Sequence, residues 1–248
     1  MKIFKSFLLF MLAGLIISGS AFSAEQLKIT VFTDATWPPM EMVDKNKNIV
    51  GFEIDLFNAI AKEAGFIPEY KNTAWDGIFA AMKGNRYPNA CALSSITITE
   101  ERKKTYDFSD PYLNVNQVLV IPKALNVKSM NDMKGKKVGA QISTTGAMEL
   151  KKAQGVVTKT YDEIGLAFAD MAAGRIDGVM CDTPVARDYA LHKAEYKEKF
   201  KIGLEIPTNE QLGVMIKKGD KKILDLVNKG LKAVKEKGID KQIEKKWL

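Results

Sequence analysis

The chain has 248 residues, 46% of them hydrophobic and 27% charged, a composition that excludes a disordered, collagen-like or coiled-coil protein. Two cysteines cannot build a disulfide framework, and the single histidine, His192, cannot build a multi-histidine zinc site. Lys and Arg number 37 against 30 Asp and Glu, a formal charge of +7, but the basic residues are scattered without interleaved aromatics, so no nucleic-acid partner is expected.

The chain opens with Lys2 and Lys5, an apolar run over residues 7–17, and the small residues Ser18, Gly19, Ser20, Ala21, Ser23 and Ala24. A basic head, an apolar centre too short to span a bilayer comfortably and a small-residue exit describe a secretory signal peptide over residues 1–24; an uncleaved anchor is the alternative. Ala21 and Ser23 suit the −3 and −1 positions of a cleavage site, whereas a cut after Ala24 leaves bulky Phe22 at −3. Loss of Lys2 and Lys5 lowers the formal charge to +5, mild for a domain of this size. No later apolar run is long enough to cross a membrane, so the expected mature protein is soluble and exported to the periplasm.

Residues 27–32 alternate like a half-buried strand, followed by a loop broken at Pro38 and Pro39. Ile54, Phe57, Ile60 and Ala61 then repeat at helical spacing, with Gly65 placed to cap the helix end. A strand is expected over residues 66–70, a helix over 75–83 and a short apolar strand from Cys91, which empties into a polar turn at Ser94 and Ser95. A second series of the same kind follows: strands over 136–141, 156–160 and 176–180, helices over 147–154 and 162–173. Residues 188–199 read as a charged helix carrying a solvated His192. Extended stretches at 116–122 and 211–216 separate the two series. Over residues 221–238, Ile223, Leu224, Val227, Leu231 and Val234 share one helical face, with the lysines on a solvated one.

Strands alternating with helices argue α/β architecture in two lobes. Because the last segment lacks strands for a third domain, it is expected to pack back on the first lobe. The expected division is residues 25–115 and 213–248 for the first lobe, and 116–212 for the second, hinge strands included. Two chain crossings would restrict relative motion to a hinge.

Three turns carry candidate ligand chemistry. In the run from Ser94 to Lys104, Thr97 or Thr99 can cap a helix, yet capping leaves unexplained the cations Arg102, Lys103 and Lys104 in a first turn, where they oppose the helix dipole. An anion gripped by the turn's N–H groups and hydroxyls and by the forked Arg102 guanidinium explains them; pairing of Arg102 with Asp107 or Asp110 is the alternative. Ser143, Thr144 and Thr145 precede a helix with the same physics and no cation, or else simply cap it. Asp182, at a strand end before Thr183 and Pro184, can accept from an ammonium group or form an Asx-turn. Trp37 and Trp75 can wall a small ligand with Asp34 nearby, or belong to the core. Trp247 reads as a packing residue.

The motif Phe32-Thr33-Asp34-Ala35-Thr36-Trp37-Pro38-Pro39-Met40-Glu41 with Val50-Gly51-Phe52-Glu53-Ile54-Asp55-Leu56 resembles the opening of periplasmic solute-binding proteins serving polar-amino-acid ABC transporters, the family 3 type. So do the run Ser95 to Lys104 followed by Asp107-Phe108-Ser109-Asp110-Pro111-Tyr112, the motif Lys134-Gly135-Lys136-Lys137-Val138-Gly139, and the closing residues to Trp247. The resemblance implies a two-lobed periplasmic-binding-protein-like fold, two α/β lobes joined by two hinge strands. It implies that Arg102, with Ser95 and Thr97, grips an α-carboxylate, that Thr145 and Thr144 complete that site, and that Asp182 holds the α-ammonium. Trp37 and Trp75 would wall the side chain and Asp34 would read its far end. The implied partners are a polar amino acid, basic or glutamine-like, and ABC permease membrane subunits, for a monomer that needs no cofactor and performs no catalysis. Gln141 departs from a cation found in some glutamine binders, which bears on specificity and not on the amino-acid backbone site. Exported cyclohexadienyl or arogenate dehydratases on the same fold are the alternative; a ligand-sensing domain would need a membrane segment. Cys91 and Cys181 fall in different lobes and are expected as small buried residues.

Overall fold

The computed structural model describes residues 26–248; the expected signal peptide lies outside them. Among the described residues no helix is long and apolar enough to cross a membrane.

Two five-stranded sheets organise the chain. The first takes β1 (Lys28–Thr33), β5 (Ile67–Asn72), β6 (Ala90–Ala92), β7 (Tyr106–Phe108) and β13 (Met215–Lys217) in the order β5-β1-β6-β13-β7. Here β1 runs parallel to both β5 and β6, and β13 antiparallel to β6 and β7. The second takes β8 (Leu113–Pro122), β9 (Lys137–Gln141), β10 (Val157–Tyr161), β11 (Gly178–Asp182) and β12 (Phe200–Leu212) in the order β10-β9-β11-β8-β12, with β9 parallel to β10 and β11. A small antiparallel sheet of β2 (Thr36–Trp37), β3 (Glu41–Val43) and β4 (Ile49–Val50) follows β1.

Helices α1 (Phe52–Ala64), α2 (Trp75–Lys83), α3 (Glu100–Thr105), α7 (Lys221–Glu236) and α8 (Ile239–Trp247) accompany the first sheet's strands in the chain; α4 (Thr145–Lys152), α5 (Ile164–Ala172) and α6 (Thr183–Arg187) follow strands of the second. α1 buries the predicted stripe, Ile54, Phe57, Ile60 and Ala61, and ends where Gly65 turns left-handed at φ 84 and bonds back to Ala61 O. α7 buries Ile223, Val227, Leu231 and Val234, and packs on α1 where Gly230 meets Ile60. The C-terminal segment thus packs against α1, which follows strands of the first sheet. Trp247 packs there as well, its indole N–H donating to Asp55 at 2.7 Å.

The chain passes between the sheets twice, through β8 and β12, which pair antiparallel from Leu113↔Leu212 to Phe200↔Pro122. The structure corrects two expectations. In place of the helix expected over 188–199, a π-turn over Asp188–His192 continues from the end of α6 and gives way to a run of turns. The thirteen-residue β12 lies over residues read only in part as extended; it is an edge strand of the second sheet, with every residue from 201 to 211 half-exposed or exposed, so its own apolar pattern is weak.

Candidate ligand-binding cleft

Four strand ends build the site. β1 ends at Thr33 and presents Asp34, β6 ends at Ala92 and presents Ser94 and Ser95, β9 ends at Gln141 and β11 at Asp182. In open α/β sheets ligands collect beyond the carboxyl ends of the strands, and here the ends of the two sheets face each other. Asp34, Trp37, Trp75, Ser94, Ser95, Thr97 and Arg102 from one side, and Gln141, Thr144, Thr145 and Asp182 from the other, line one narrow cavity. All nine residues singled out from the sequence stand in that wall. Direct contacts cross it: Thr97 Oγ1 lies 3.3 Å from Thr145 Oγ1, Gln141 Nε2 donates to Asp34 Oδ2 at 2.9 Å, and Arg102 Nη2 donates to Ser143 O at 3.4 Å.

Arg102 owes its position to a cap. Thr99, not Thr97, is the N-cap of α3 and accepts from the Arg102 amide at 3.1 Å. That frees the Thr97 hydroxyl for the cavity, and the guanidinium turns back to donate to Thr97 O at 2.8 Å. It sits over the rings of Trp75 and Phe79, 5.5 and 5.4 Å from their centroids. The charges acting on it are Asp182 and Glu210, while Asp107 is taken by Lys218 at 2.8 Å, so the alternative pairing of Arg102 is not formed. Burial pulls its pKa down to about 10, against the upward pull of those two acids, and leaves it a cation at neutral pH.

On the facing lobe Thr144 is the cap of α4, accepting from Ala147 N at 3.2 Å and donating to Gln141 O at 2.7 Å. Thr145 is thereby left to the cavity. Asp182 is 6% exposed and makes no side-chain cap, so the Asx-turn is not formed; it accepts from Gln117 Nε2 at 2.7 Å. Burial first, then the neighbouring charge of Glu210, pushes its pKa up to about 7, with Gln117, Trp37 and Arg102 pulling the other way. Trp37 Nε1 stands beside Asp182 but makes no hydrogen bond of good geometry, and Trp75 Nε1 is likewise buried without a partner. Such donors cost about 1–3 kcal/mol each when left unpaired. Both tryptophans are 6% exposed, core residues that also wall the cavity.

Asp34 is pushed above the ordinary carboxyl range by burial, partly offset by hydrogen bonds from Thr36 (2.8 Å) and Gln141. Two site residues escaped the sequence reading. Gln117 on β8 donates to Asp182, and at 3.2 Å to Thr145 Oγ1 and to Glu210 Oε1. Glu210 on β12 accepts from Thr97 Oγ1 at 2.8 Å. A glutamine in an otherwise apolar strand segment is a legible signal for the first; Glu210 gave none, because a bulge between Ile206 and Glu210 sets its direction. A wider groove between α8 and the α6 segment, with Arg187, Asp188, His192 and Lys245 in its wall, holds none of the predicted residues. His192 is exposed, as expected.

Two α/β lobes joined by a strand pair, with opposite charges presented into one cleft, define the class of two-lobed solute-binding proteins. Residues 29–248 match the bacterial extracellular solute-binding proteins, family 3, and the chain belongs to that family. It is 32% identical over 243 residues to ABC transporter arginine-binding protein 1 of Escherichia coli (strain K12), covering 96% of this chain and 97% of that one. Among solved structures it is similar to the arginine-, lysine-, histidine-binding protein ArtJ from Geobacillus stearothermophilus (TM-score 0.82, 35% identity, 89% and 95% covered). It is also similar to the ancestral amino-acid-binding protein AncCDT-1, a precursor of cyclohexadienyl dehydratase (TM-score 0.81, 36% identity, 89% and 95% covered).

Proposed function

We propose that the protein is the periplasmic substrate-binding component of an ABC transporter, which captures a polar L-amino acid by lobe closure and delivers it to a membrane permease. The observation that carries this reading is the arrangement of charge in one buried cavity: Arg102 on one lobe, Asp182 on the other, each within electrostatic reach of its counterpart. An α-amino acid carries opposite charges about one carbon apart, and Arg102 with Thr97 and Thr145 meets the carboxylate, in turns held by Ser95 and capped by Thr144, while Asp182 meets the ammonium. Charge-assisted hydrogen bonds of about 1.5–3 kcal/mol each, with burial between Trp37 and Trp75, reach the roughly 8 kcal/mol of a micromolar ligand. Closure is selected because only the closed state makes both sets of contacts. The cavity's charged lining is one cation, Arg102, against two acids, Asp34 and Asp182, which suits a ligand of net positive charge; hence a basic side chain is favoured, with a glutamine-like one next.

A thermal-shift screen of the standard amino acids with ornithine and citrulline identifies the ligand, since binding to the native state raises the melting temperature. Arg102→Ala and Asp182→Ala each abolish binding with the fold intact, and Asp34→Asn weakens a basic ligand more than a glutamine-like one. Wild-type calorimetric affinity in either alanine variant refutes the assignment. The dehydratase reading has one observation of its own, an Asp182 carboxyl at about 7, suited to general acid–base chemistry at neutral pH. Turnover of prephenate or arogenate by the purified protein would establish it.

A further inference from the structure

Glu41 and Glu53 stand behind the cavity wall, both 0% exposed. They meet because Gly51 sits at φ 143, where a Cβ would fall 2.2 Å from Met40 O and 2.9 Å from Glu41 Cα. That approach lets the amides of Phe52 and Glu53 bond to Pro39 O and Met40 O, each at 3.0 Å, and seats the first turn of α1 against β3. The hydrogen bonds of the two carboxyls have opposite character. Glu53 only accepts: from the Ser95 amide at 2.9 and 3.0 Å on its two oxygens, from Ser95 Oγ at 3.0 Å, and from the Tyr112 hydroxyl. Glu41 Oε1 accepts from Ser94 Oγ at 2.9 Å, and Ser94 Oγ itself accepts from the Asp34 amide at 3.0 Å. Glu41 Oε2 is buried with no protein donor to satisfy it, and the Glu41 carboxyl lies within hydrogen-bond reach of Glu53. A carboxylate oxygen in that place lacks a donor; a carboxylic-acid hydroxyl is a donor facing an acceptor.

We propose that Glu41 and Glu53 share one proton, carried on Glu41 Oε2 and donated to Glu53, and that this singly protonated pair is the positioning element that fixes Ser94, Ser95 and the Asp34 amide and so holds the turn leading to Thr97 and Arg102 in ligand-gripping geometry. Ser95 needs such a hold: it sits at φ 47, a left-handed conformation that a non-glycine residue adopts only at a cost, and Glu53 binds both its amide and its hydroxyl. Burial, with the charges of Glu53 and Asp34, raises the Glu41 pKa, and only Ser94 opposes; burial also raises Glu53, whose donors pull it back. The groups facing the pair are Asp34 from the loop after β1, Tyr70 on β5, Ser94 and Ser95 after β6, and Tyr112 before β8, none of them cationic. Removal of the proton would therefore set two carboxylates against each other with no counter-charge, behind the turn that receives the ligand. Because the Glu41 pKa is raised in the folded state, the stabilisation is lost as pH rises through it.

The affinity readout of the test rests on the amino-acid site proposed above; the spectroscopic one does not. Infrared spectroscopy of the ligand-free protein at neutral pH is expected to show, in the wild-type minus E41Q difference, the carbonyl stretch of a protonated, hydrogen-bonded carboxylic acid beyond the Asp182 contribution common to both, and absence of that difference band overturns the proposal. With L-arginine as probe, E41L is expected to weaken calorimetric binding roughly tenfold or more, and E41Q, which keeps a donor toward Glu53, to restore most of the loss. E41Q as weak as E41L refutes the positioning role. Should E41L fail to fold, the alkaline limb of the wild-type affinity profile replaces it: steeper loss in the wild type than in E41Q supports the pair, and superimposable profiles refute it. Should the wild type bind no amino acid, the infrared band still reports the shared proton and the urea midpoints of E41L and E41Q still report the positioning, so the two readings fail separately.

Discussion

Acidification should loosen the ligand, and Asp182 sets the scale. Its carboxyl is buried beside Glu210 and raised to about 7, so near neutrality the empty site is half protonated. An ammonium group binds the ionised form. Each pH step of one below about 7 lowers the ionised fraction tenfold, a cost of about 1.4 kcal/mol. From about pH 8 to about pH 5 the apparent dissociation constant should therefore rise on the order of a hundredfold. Asp34, also raised by burial, pushes in the same direction for a ligand with a cationic side chain. The sign for folding is the reverse. A folded-state pKa raised from 3.8 to about 7 favours the protonated native state, so the ligand-free protein loses stability as pH climbs through that interval, with a ceiling on the order of 4 kcal/mol. Ligand restores it, so the ligand-induced melting shift should grow with pH. Calorimetry in two buffers of different ionisation enthalpy reads the coupling directly: near neutrality about half a proton should leave Asp182 per ligand bound. A dissociation constant that stays level across the range, with no proton released, would refute the assignment of the ammonium to Asp182.

Two further outcomes test the packing. A Cβ on Gly230 would stand 2.4 Å from the carbonyl oxygen of Ile60 and 2.8 Å from its Cγ2, so Gly230→Ala should force α7 from α1 and lower stability by about 1–3 kcal/mol in urea titration, despite the better helix propensity of alanine; an unchanged midpoint would show that the helices do not pack at this distance. Cys91 on β6 and Cys181 on β11 are buried free thiols, 0% and 1% exposed, whose pKa values burial drives up, so a thiol reagent should leave the native protein unlabelled and modify both residues in urea.

Much of the site was legible because its chemistry breaks local rules. The sequence sets Arg102 against a helix dipole, but α3 is only six residues long, with Glu100 and Glu101 in its first turn and Arg102 in its last, where a cation is favourable. The guanidinium beside a hydroxyl-rich turn is what points to the cavity, and Arg102 is turned into it. Ser143, Thr144 and Thr145 offer more hydroxyls than one helix start needs; one caps α4 and Thr145 faces the cleft. Helices with strong periodicity were equally plain: α2 runs over Trp75–Lys83 as read. The edge strand β12 was not, since its pairing with β8 supplies what its own half-exposed residues lack.

The order of residues by itself determined the elements that bury an apolar stripe, the alternation that makes two α/β lobes, and the residue types fit to hold opposite charges. Local rules act within a few residues, and those features are local. Only the folded chain decided that Gln117 and Glu210, 93 residues apart, join Asp182 in one network, and that Glu41 and Glu53 lie back to back behind the turn. Burial and proximity of charges arise when distant segments meet, and they are what moves Asp182 to about 7.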